Sequence, residues 1–148
     1  MASSEAYDYL VVIVDDNSEL LASLTFALTT RPSPRFRIIT ADNGVDGLEQ
    51  ICALQPHCAV IDVKMSGLDG TQLIHALRGD PTTASIPLVI LSALVQENDR
   101  LRGLYSGADA YLTKPTTPDA LIDAIEQAIS LSANERATRM QLLLEQDC

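Results

Sequence analysis

Short apolar runs alternate along this 148-residue chain with segments whose apolar residues recur at helical spacing, and this pattern repeats five times. The runs are rich in Val, Ile and Leu without in-out alternation, which is typical of strands buried on both faces of a parallel sheet. The second run is the exception, because Arg37 interrupts it, as an edge strand would permit. The alternation predicts right-handed crossovers and a three-layer α/β/α sandwich. The predicted strands are 9–14, 36–40, 58–61, 88–91 and 110–113, and the predicted helices are 18–30, 44–54, 70–79, 97–106 and 118–131.

The length fits one domain with a substantial core and is too short for two of ordinary size. The net charge is −10, so the chain should be repelled by a nucleic-acid backbone, whose binding needs clustered Lys and Arg. We therefore expect no direct contact with nucleic acid. Any action on DNA would go through another domain or a partner.

Cysteine usage and hydropathy indicate the compartment. The three cysteines are Cys52, Cys58 and Cys148. Their odd number and lack of close spacing disfavour disulfides and zinc, and we expect Cys52 and Cys58 to be small core residues. Residues 1–8 lack the apolar run of a signal peptide, and no apolar stretch is long enough to span a bilayer. These features predict a cytoplasmic protein without membrane contact.

Polar residues stand where the predicted strands end. Asp15 and Asp16 follow the first strand, Asp62 the third, Ser92 the fourth and Lys114 the fifth. Functional groups of open parallel sheets lie at this edge, and three carboxylates converge if the first and third strands are neighbours. Like charges that close need a cation among them, and Mg²⁺ prefers oxygen ligands. A carboxylate nucleophile, a metal, a lysine and a hydroxyl suit phosphoryl transfer.

Each of these residues also has an ordinary structural interpretation. Asp15 and Asp16 could cap the following helix, which is the commoner role of acids in that position. Ser92 could be a strand-end hydroxyl, and Lys114 a surface lysine. The chemical interpretation depends on all of them occurring together.

Five motifs, in order, resemble the receiver domain of two-component response regulators over residues 8–131. They are Val14-Asp15-Asp16-Asn17, Val60-Ile61-Asp62-Val63-Lys64-Met65 with Gly67 and Asp69-Gly70, Leu91-Ser92-Ala93, Gly107-Ala108-Asp109 and Tyr111-Leu112-Thr113-Lys114-Pro115. Ser66 departs from the pattern, because the family usually has proline there. Residues 132–148 are helix-prone and would be a helical C-terminal extension or a linker.

The resemblance implies a flavodoxin-like, five-stranded parallel sheet with strand order 2-1-3-4-5. It also implies a phosphoryl group on Asp62 and a Mg²⁺ ion held directly by Asp16 and Asp62. Asp15 would contact the metal through water, and the backbone carbonyl of Lys64 would complete the protein ligands.

Other roles follow from the same resemblance. Ser92 and Lys114 would hold the phosphate, and Tyr111 would turn inward when Ser92 is drawn to it. The Lys114–Pro115 peptide bond would be cis.

The implied function is a phosphorylation-activated signalling switch in a phosphorelay. It would take its phosphoryl group from a histidine kinase or a phosphotransfer protein. Its only catalysis would be slow self-phosphorylation and self-dephosphorylation. Phosphorylation would change a partner surface or promote a homodimer through the helix 97–106, the fifth strand and the last helix.

Two alternatives remain. A small metal-dependent phosphatase could use the same kind of nucleophile, but such enzymes typically carry Asp-x-Asp after the first strand, whereas Asp15 and Asp16 are adjacent. A degenerate receiver could serve only as a docking module, although this chain retains every reactive residue type.

Overall fold

The computed structural model describes residues 6–63, 70–93 and 107–131, together with residues 138, 141 and 142. Five parallel strands form one sheet in the order β2-β1-β3-β4-β5, as the resemblance implied. The strands are β1 (Tyr9–Val14), β2 (Phe36–Ala41), β3 (Cys58–Ile61), β4 (Leu88–Ser92) and β5 (Ala110–Thr113). The predicted strand bounds hold within one residue, and Ser92 is the last residue of β4 instead of the first residue after it.

Four helices are described: α1 (Ser18–Thr29), α2 (Gly44–Leu54), α3 (Gly70–Gly79) and α4 (Pro118–Ser130). The helix predicted over 97–106 lies outside the described residues, as does most of 132–148. Leu131 has an extended backbone, so α4 ends at Ser130. Within the described residues, no helix combines the length and apolarity that a bilayer crossing requires.

The sheet separates two apolar clusters, which gives the three layers. Val11 and Ile13 of β1 pack with α1 and α4, whereas Val12 and Val14 pack with α2 and α3. The central strands β3 and β4 are buried at every position, because both of their faces carry helices. Strand β2 is different: Arg37 and Thr40 are exposed, as expected at a sheet edge.

Local capping starts the helices soon after the strands end. The side chain of Asn17 accepts a hydrogen bond from Leu20 N at 3.1 Å and begins α1. Thr117 caps α4, which has Pro118 in its first turn. The prediction for the cysteines is half wrong: Cys58 is buried in β3, but Cys52 is exposed on α2. Residue 52 lies on the solvent side of α2, next to the buried Ile51.

A buried ion pair ties the end of α3 to the starts of β4 and β5. Arg78 donates hydrogen bonds to the carbonyl oxygens of Gly107, Ala84 and Ile86 and to the carboxylate of Asp109. The same oxygen of Asp109 accepts from Leu88 N at 2.8 Å. The side chain of Asp109 is fully buried and that of Arg78 is 16% exposed, so little solvent screens the pair.

Candidate functional site

The pairing of β1 with β3 brings three carboxylates together at the carboxyl edge of the sheet. Asp62 N donates to Val14 O at 2.9 Å, which aligns the residues that follow the two strands. One carboxylate oxygen from each of Asp15, Asp16 and Asp62 lies within 4.8 Å of the others. Asp15 and Asp62 are 2% and 6% exposed, whereas Asp16 is exposed to solvent. Two carboxylates of the cluster are therefore buried, and the third is open to solvent.

Lys114 lies against this cluster from the end of β5. Its Nζ is 2.6 Å from Oδ2 of Asp15 and 3.4 Å from Oδ2 of Asp62. Its backbone N donates to Ser92 O at 2.7 Å, which fixes the start of its side chain beside β4. Burial acts to lower the pKa of Lys114, but the hydrogen bond to Asp15 and the negative charge of Asp62 outweigh it. The pKa is therefore raised above its ordinary value, and the side chain is a stable cation.

Ser92 and Tyr111 lie on neighbouring strands, where Ile90 of β4 is in register with Tyr111 and Ser92 with Thr113. Ser92 is fully buried at the end of β4. Tyr111 is half-buried and packs against the cluster on the α2 and α3 side of the sheet. Both residues thus lie on strands that end at the carboxyl edge of the sheet.

The backbone after Asp62 is closely covered by the first residue of α3. Gly70 N donates to Val63 O at 3.0 Å. A Cβ atom on Gly70 would lie 2.2 Å from the carbonyl oxygen of Asp62, which no side chain tolerates. The sequence predicts Gly70 as a helix start and as part of the receiver pattern, but it does not reveal the close approach to a residue eight positions earlier. Glycine is required here by close packing on the backbone that carries Asp62.

The charges and oxygen donors of the site fit a hard divalent cation. Among the described residues, three carboxylates face one ammonium group, so this set is net negative when all four are ionised. Asp16 is exposed and gives a cation access from solvent. Carboxylate oxygens with room for water are the ligand set that Mg²⁺ favours.

One predicted ligand, the carbonyl of Lys64, lies outside the described residues, and so does Ser66. The Lys114–Pro115 peptide bond is cis, as the resemblance implied. Arg78 was not singled out from the sequence. Its contacts with Gly107 and Asp109 span 29 and 31 residues, and no local pattern reveals such a pairing.

Comparison with known proteins gives one family. A family model described as the response regulator receiver domain matches residues 11–126. The transcriptional regulatory protein PrrA of Mycobacterium leprae is 38% identical over 105 residues, covering 71% of this chain and 43% of PrrA. The phosphate regulon transcriptional regulatory protein PhoB of Shigella flexneri is 32% identical over 134 residues, covering 88% of this chain and 57% of PhoB. The chain thus spans only part of these two relatives.

A solved structure extends the likeness to three dimensions. The receiver domain of the Francisella response regulator 1452 superimposes with a TM-score of 0.74 at 30% identity. The match covers 82% of this chain and 97% of that domain. The similarity thus includes nearly the whole of an independently determined receiver domain.

Proposed function

This chain belongs to the response regulator receiver domain family, and from that premise we propose that it is a signalling switch that accepts a phosphoryl group on Asp62. The observation that carries the proposal is the position of Asp62. Its buried carboxylate lies with those of Asp15 and Asp16 and 3.4 Å from the ammonium of Lys114. A nucleophilic oxygen is thus held where positive charge can neutralise a transferring phosphoryl group.

In the proposed reaction, a carboxylate oxygen of Asp62 attacks the phosphorus of a phosphohistidine or an acyl phosphate. A P–O bond to Asp62 forms, and the bond from phosphorus to the donor breaks with its electron pair leaving on the donor. The donor nitrogen or oxygen then takes up a proton if its pKa requires it. The protein mainly positions the reactants and neutralises charge, as this chemistry demands.

We propose that Asp16 and Asp62 hold Mg²⁺ directly, that Asp15 does so through water, and that the carbonyl of Lys64 completes the protein ligands. The bound ion would supply positive charge to the phosphoryl oxygens. Asp15 has a second role, because its carboxylate accepts from Lys114 Nζ at 2.6 Å and from Asn17 N at 2.9 Å. Asp15 thereby orients the lysine toward Asp62.

The switch would act through Ser92, Lys114 and Tyr111. Phosphorylation adds a charge of about −1.5 to −2 at pH 7 together with strong acceptor oxygens. The Ser92 hydroxyl and the Lys114 ammonium are donors suited to these oxygens. A shift of Ser92 at the end of β4 would alter the environment of Tyr111 on β5, and with it the surface formed by β5 and α4. That surface would then bind a partner or a second copy.

The proposed setting follows from the family. The donor would be a histidine kinase or a phosphotransfer protein in the cytoplasm, and the receiver would occupy residues 8–131. Residues 132–148 would be an extension or linker. With a net charge of −10, this 148-residue chain would not itself contact nucleic acid. PrrA and PhoB, which this chain covers in part, are named as transcriptional regulatory proteins.

Stoichiometry tests this function against the phosphatase alternative. With acetyl phosphate and Mg²⁺, we expect uptake that levels off at one phosphoryl group per chain, and no sustained turnover of p-nitrophenyl phosphate. Steady hydrolysis of that ester, abolished by Asp62→Asn, would contradict the switch and favour an enzyme. A degenerate receiver would take up nothing from the donor.

A further inference from the structure

The free edge of β2 carries backbone groups that point away from the sheet. The carbonyls of Arg35 and Ala41 accept hydrogen bonds from the β1 side, at 2.8 Å from Asp8 N and 3.0 Å from Asp15 N. Successive residues of a strand direct their backbone groups to opposite sides. The N–H and C=O groups of Phe36, Ile38 and Thr40 therefore point outward, where the order of the described sheet places no further strand. Such an edge is a template for strand pairing.

Charge is distributed unevenly along this edge. A groove of about 990 Å³ lies between α1 and α2 at the carboxyl end of β2, and its charged lining is acidic. These acids are Asp42, Asp46 and Glu49. A cavity of about 390 Å³ at the other end of β2 is basic, with Arg31, Arg35 and Arg37 in its lining. Arg31 forms an ion pair with Asp119 of α4 in the same copy, so the proposed interface relies on Arg35 and Arg37 at this end.

We propose that the β2 edge binds a second copy of this chain in an antiparallel arrangement. The two-fold axis would pass perpendicular to the sheet beside Ile38, which would pair with Ile38 of the second copy. Phe36 would then pair with Thr40 of the second copy, so all the outward backbone groups of β2 are satisfied. The two five-stranded sheets would join into one of ten strands.

The antiparallel direction follows from the charges. It brings the basic end of one β2 beside the acidic end of the other, whereas a parallel arrangement would put like charges together. The oppositely charged side chains of the two copies also lie on the same face of the joined sheet. Arg37 lies on the same side of β2 as Ile39 and Ala41, which pack on the cluster that contains α2 residues. The two-fold axis places the second copy's α2, with its Glu49, on that same face.

Apolar surface accompanies the charged surface. Phe26 is 71% exposed and lines the groove from α1. Ile38 and Ile39 are half-buried in the single copy. Pairing along β2 would remove all three side chains from water, and burial of apolar area is the main favourable contribution to protein association. An exposed phenylalanine beside an open strand edge is thus accounted for by the same partner.

This interface is independent of the proposed phosphorylation. The carboxyl edges of the two sheets would point in opposite directions, because the strands of the two copies are antiparallel. Strand β5 lies at the opposite edge of each sheet from β2. The dimer would therefore form without a phosphodonor and leave Asp62 accessible in both copies.

Sedimentation equilibrium of the unphosphorylated full chain tests the proposal, with two charge-reversal variants. The first is Arg35→Glu with Arg37→Glu, and the second is Asp42→Lys with Glu49→Lys. Asp46 is left unchanged because it lies in the first turn of α2, where a negative charge stabilises the helix. We expect a wild-type dimer, and a dissociation constant raised at least about tenfold in each variant alone, since like charges then face each other. An equimolar mixture should restore a heterodimer.

Two further variants make the result specific. Thr40→Pro removes an outward N–H that does not bond to β1, so it should abolish the dimer with little change in the melting temperature. Asp123→Lys with Glu126→Lys changes the net charge as much as the acidic-end variant does, but on exposed positions of α4, and should leave the dimer intact. A wild-type monomer at high micromolar concentration would overturn the proposal and leave the edge to an extended segment of a different protein. A mixture of the two charge variants that stays monomeric would also overturn it.

Discussion

The ammonium of Lys114 donates a hydrogen bond of 2.6 Å to the carboxylate of Asp15, a residue 99 positions earlier in the chain. This contact joins the ends of β5 and β1 across the carboxyl edge of the sheet. It places a cation beside two buried carboxylates, Asp15 and Asp62. Lys114 thus offsets part of the negative charge of the site.

Removal of this cation should destabilise the fold. Lys114→Ala removes the ammonium that pairs with two buried carboxylates, and we expect the free energy of unfolding to fall by about 1–3 kcal/mol. Mg²⁺ should then stabilise the variant more than the wild type, because it replaces the lost positive charge. Lys114→Arg keeps the charge and should lose less. Urea unfolding with and without Mg²⁺ measures both effects, and an equal response in Lys114→Ala and wild type would contradict this electrostatic account.

Metal binding should appear as stabilisation by mass action, since Mg²⁺ at concentrations above its dissociation constant favours the folded state. We expect a higher melting temperature of the wild type in millimolar Mg²⁺. Asp16→Ala should abolish the increase. Glu19→Ala is the matched control, because it removes another exposed acid only three residues away and should keep the increase. A rise of the same size in Asp16→Ala would place the metal elsewhere.

Two glycines of α3 should respond oppositely to the same substitution. Gly70→Ala puts a methyl group 2.2 Å from the Asp62 carbonyl oxygen, so the backbone of the site must move. We expect a loss of about 2–4 kcal/mol in stability and much slower phosphoryl uptake. Gly79→Ala meets nothing within 4 Å and should be neutral or stabilise by up to about 1 kcal/mol. Chemical denaturation of both variants measures the stability change, and the rate of phosphoryl uptake measures the reactivity. A Gly70→Ala protein as stable and as reactive as wild type would refute the close contact.

The ion pairs of Arg78 and Arg31 should differ greatly in their contribution to stability. Arg78→Ala leaves the fully buried carboxylate of Asp109 without its cation and frees three carbonyl oxygens, which should cost about 3–5 kcal/mol. Arg31→Ala breaks a pair in which Asp119 is 77% exposed and should cost less than about 1 kcal/mol. Denaturant midpoints compare the two directly, and similar losses would contradict the role assigned to burial.

The sequence predicted the strands well because their apolar runs are continuous and are separated by clear helix signals. Val11–Val14 are buried on both sides, and that pattern is visible in residue types alone. The described helices were also predicted within one residue at each end, because Asn17 and Pro118 mark their starts. Strand order came from the family resemblance, since no local pattern specifies which strands are neighbours.

The site residues could be named from strand ends, but not their contacts. That Lys114 bonds to Asp15 more closely than to Asp62 depends on the path of its side chain over β4, which the sequence does not encode locally. The contact of Gly70 with the Asp62 carbonyl and the pairing of Arg78 with Asp109 are likewise long-range packing results. The outer surface of α2 was the weak point, because Cys52 is apolar by type yet exposed.

The central claim is that Asp62 is the phosphoacceptor. Intact-mass spectrometry after incubation with acetyl phosphate and Mg²⁺ tests it most directly, with Asp62→Asn and the exposed-acid variant Glu19→Gln treated in parallel. We predict one phosphoryl group on the wild type and on Glu19→Gln, and none on Asp62→Asn. An unmodified wild type, or an Asp62→Asn protein that gains the same mass, would contradict the account.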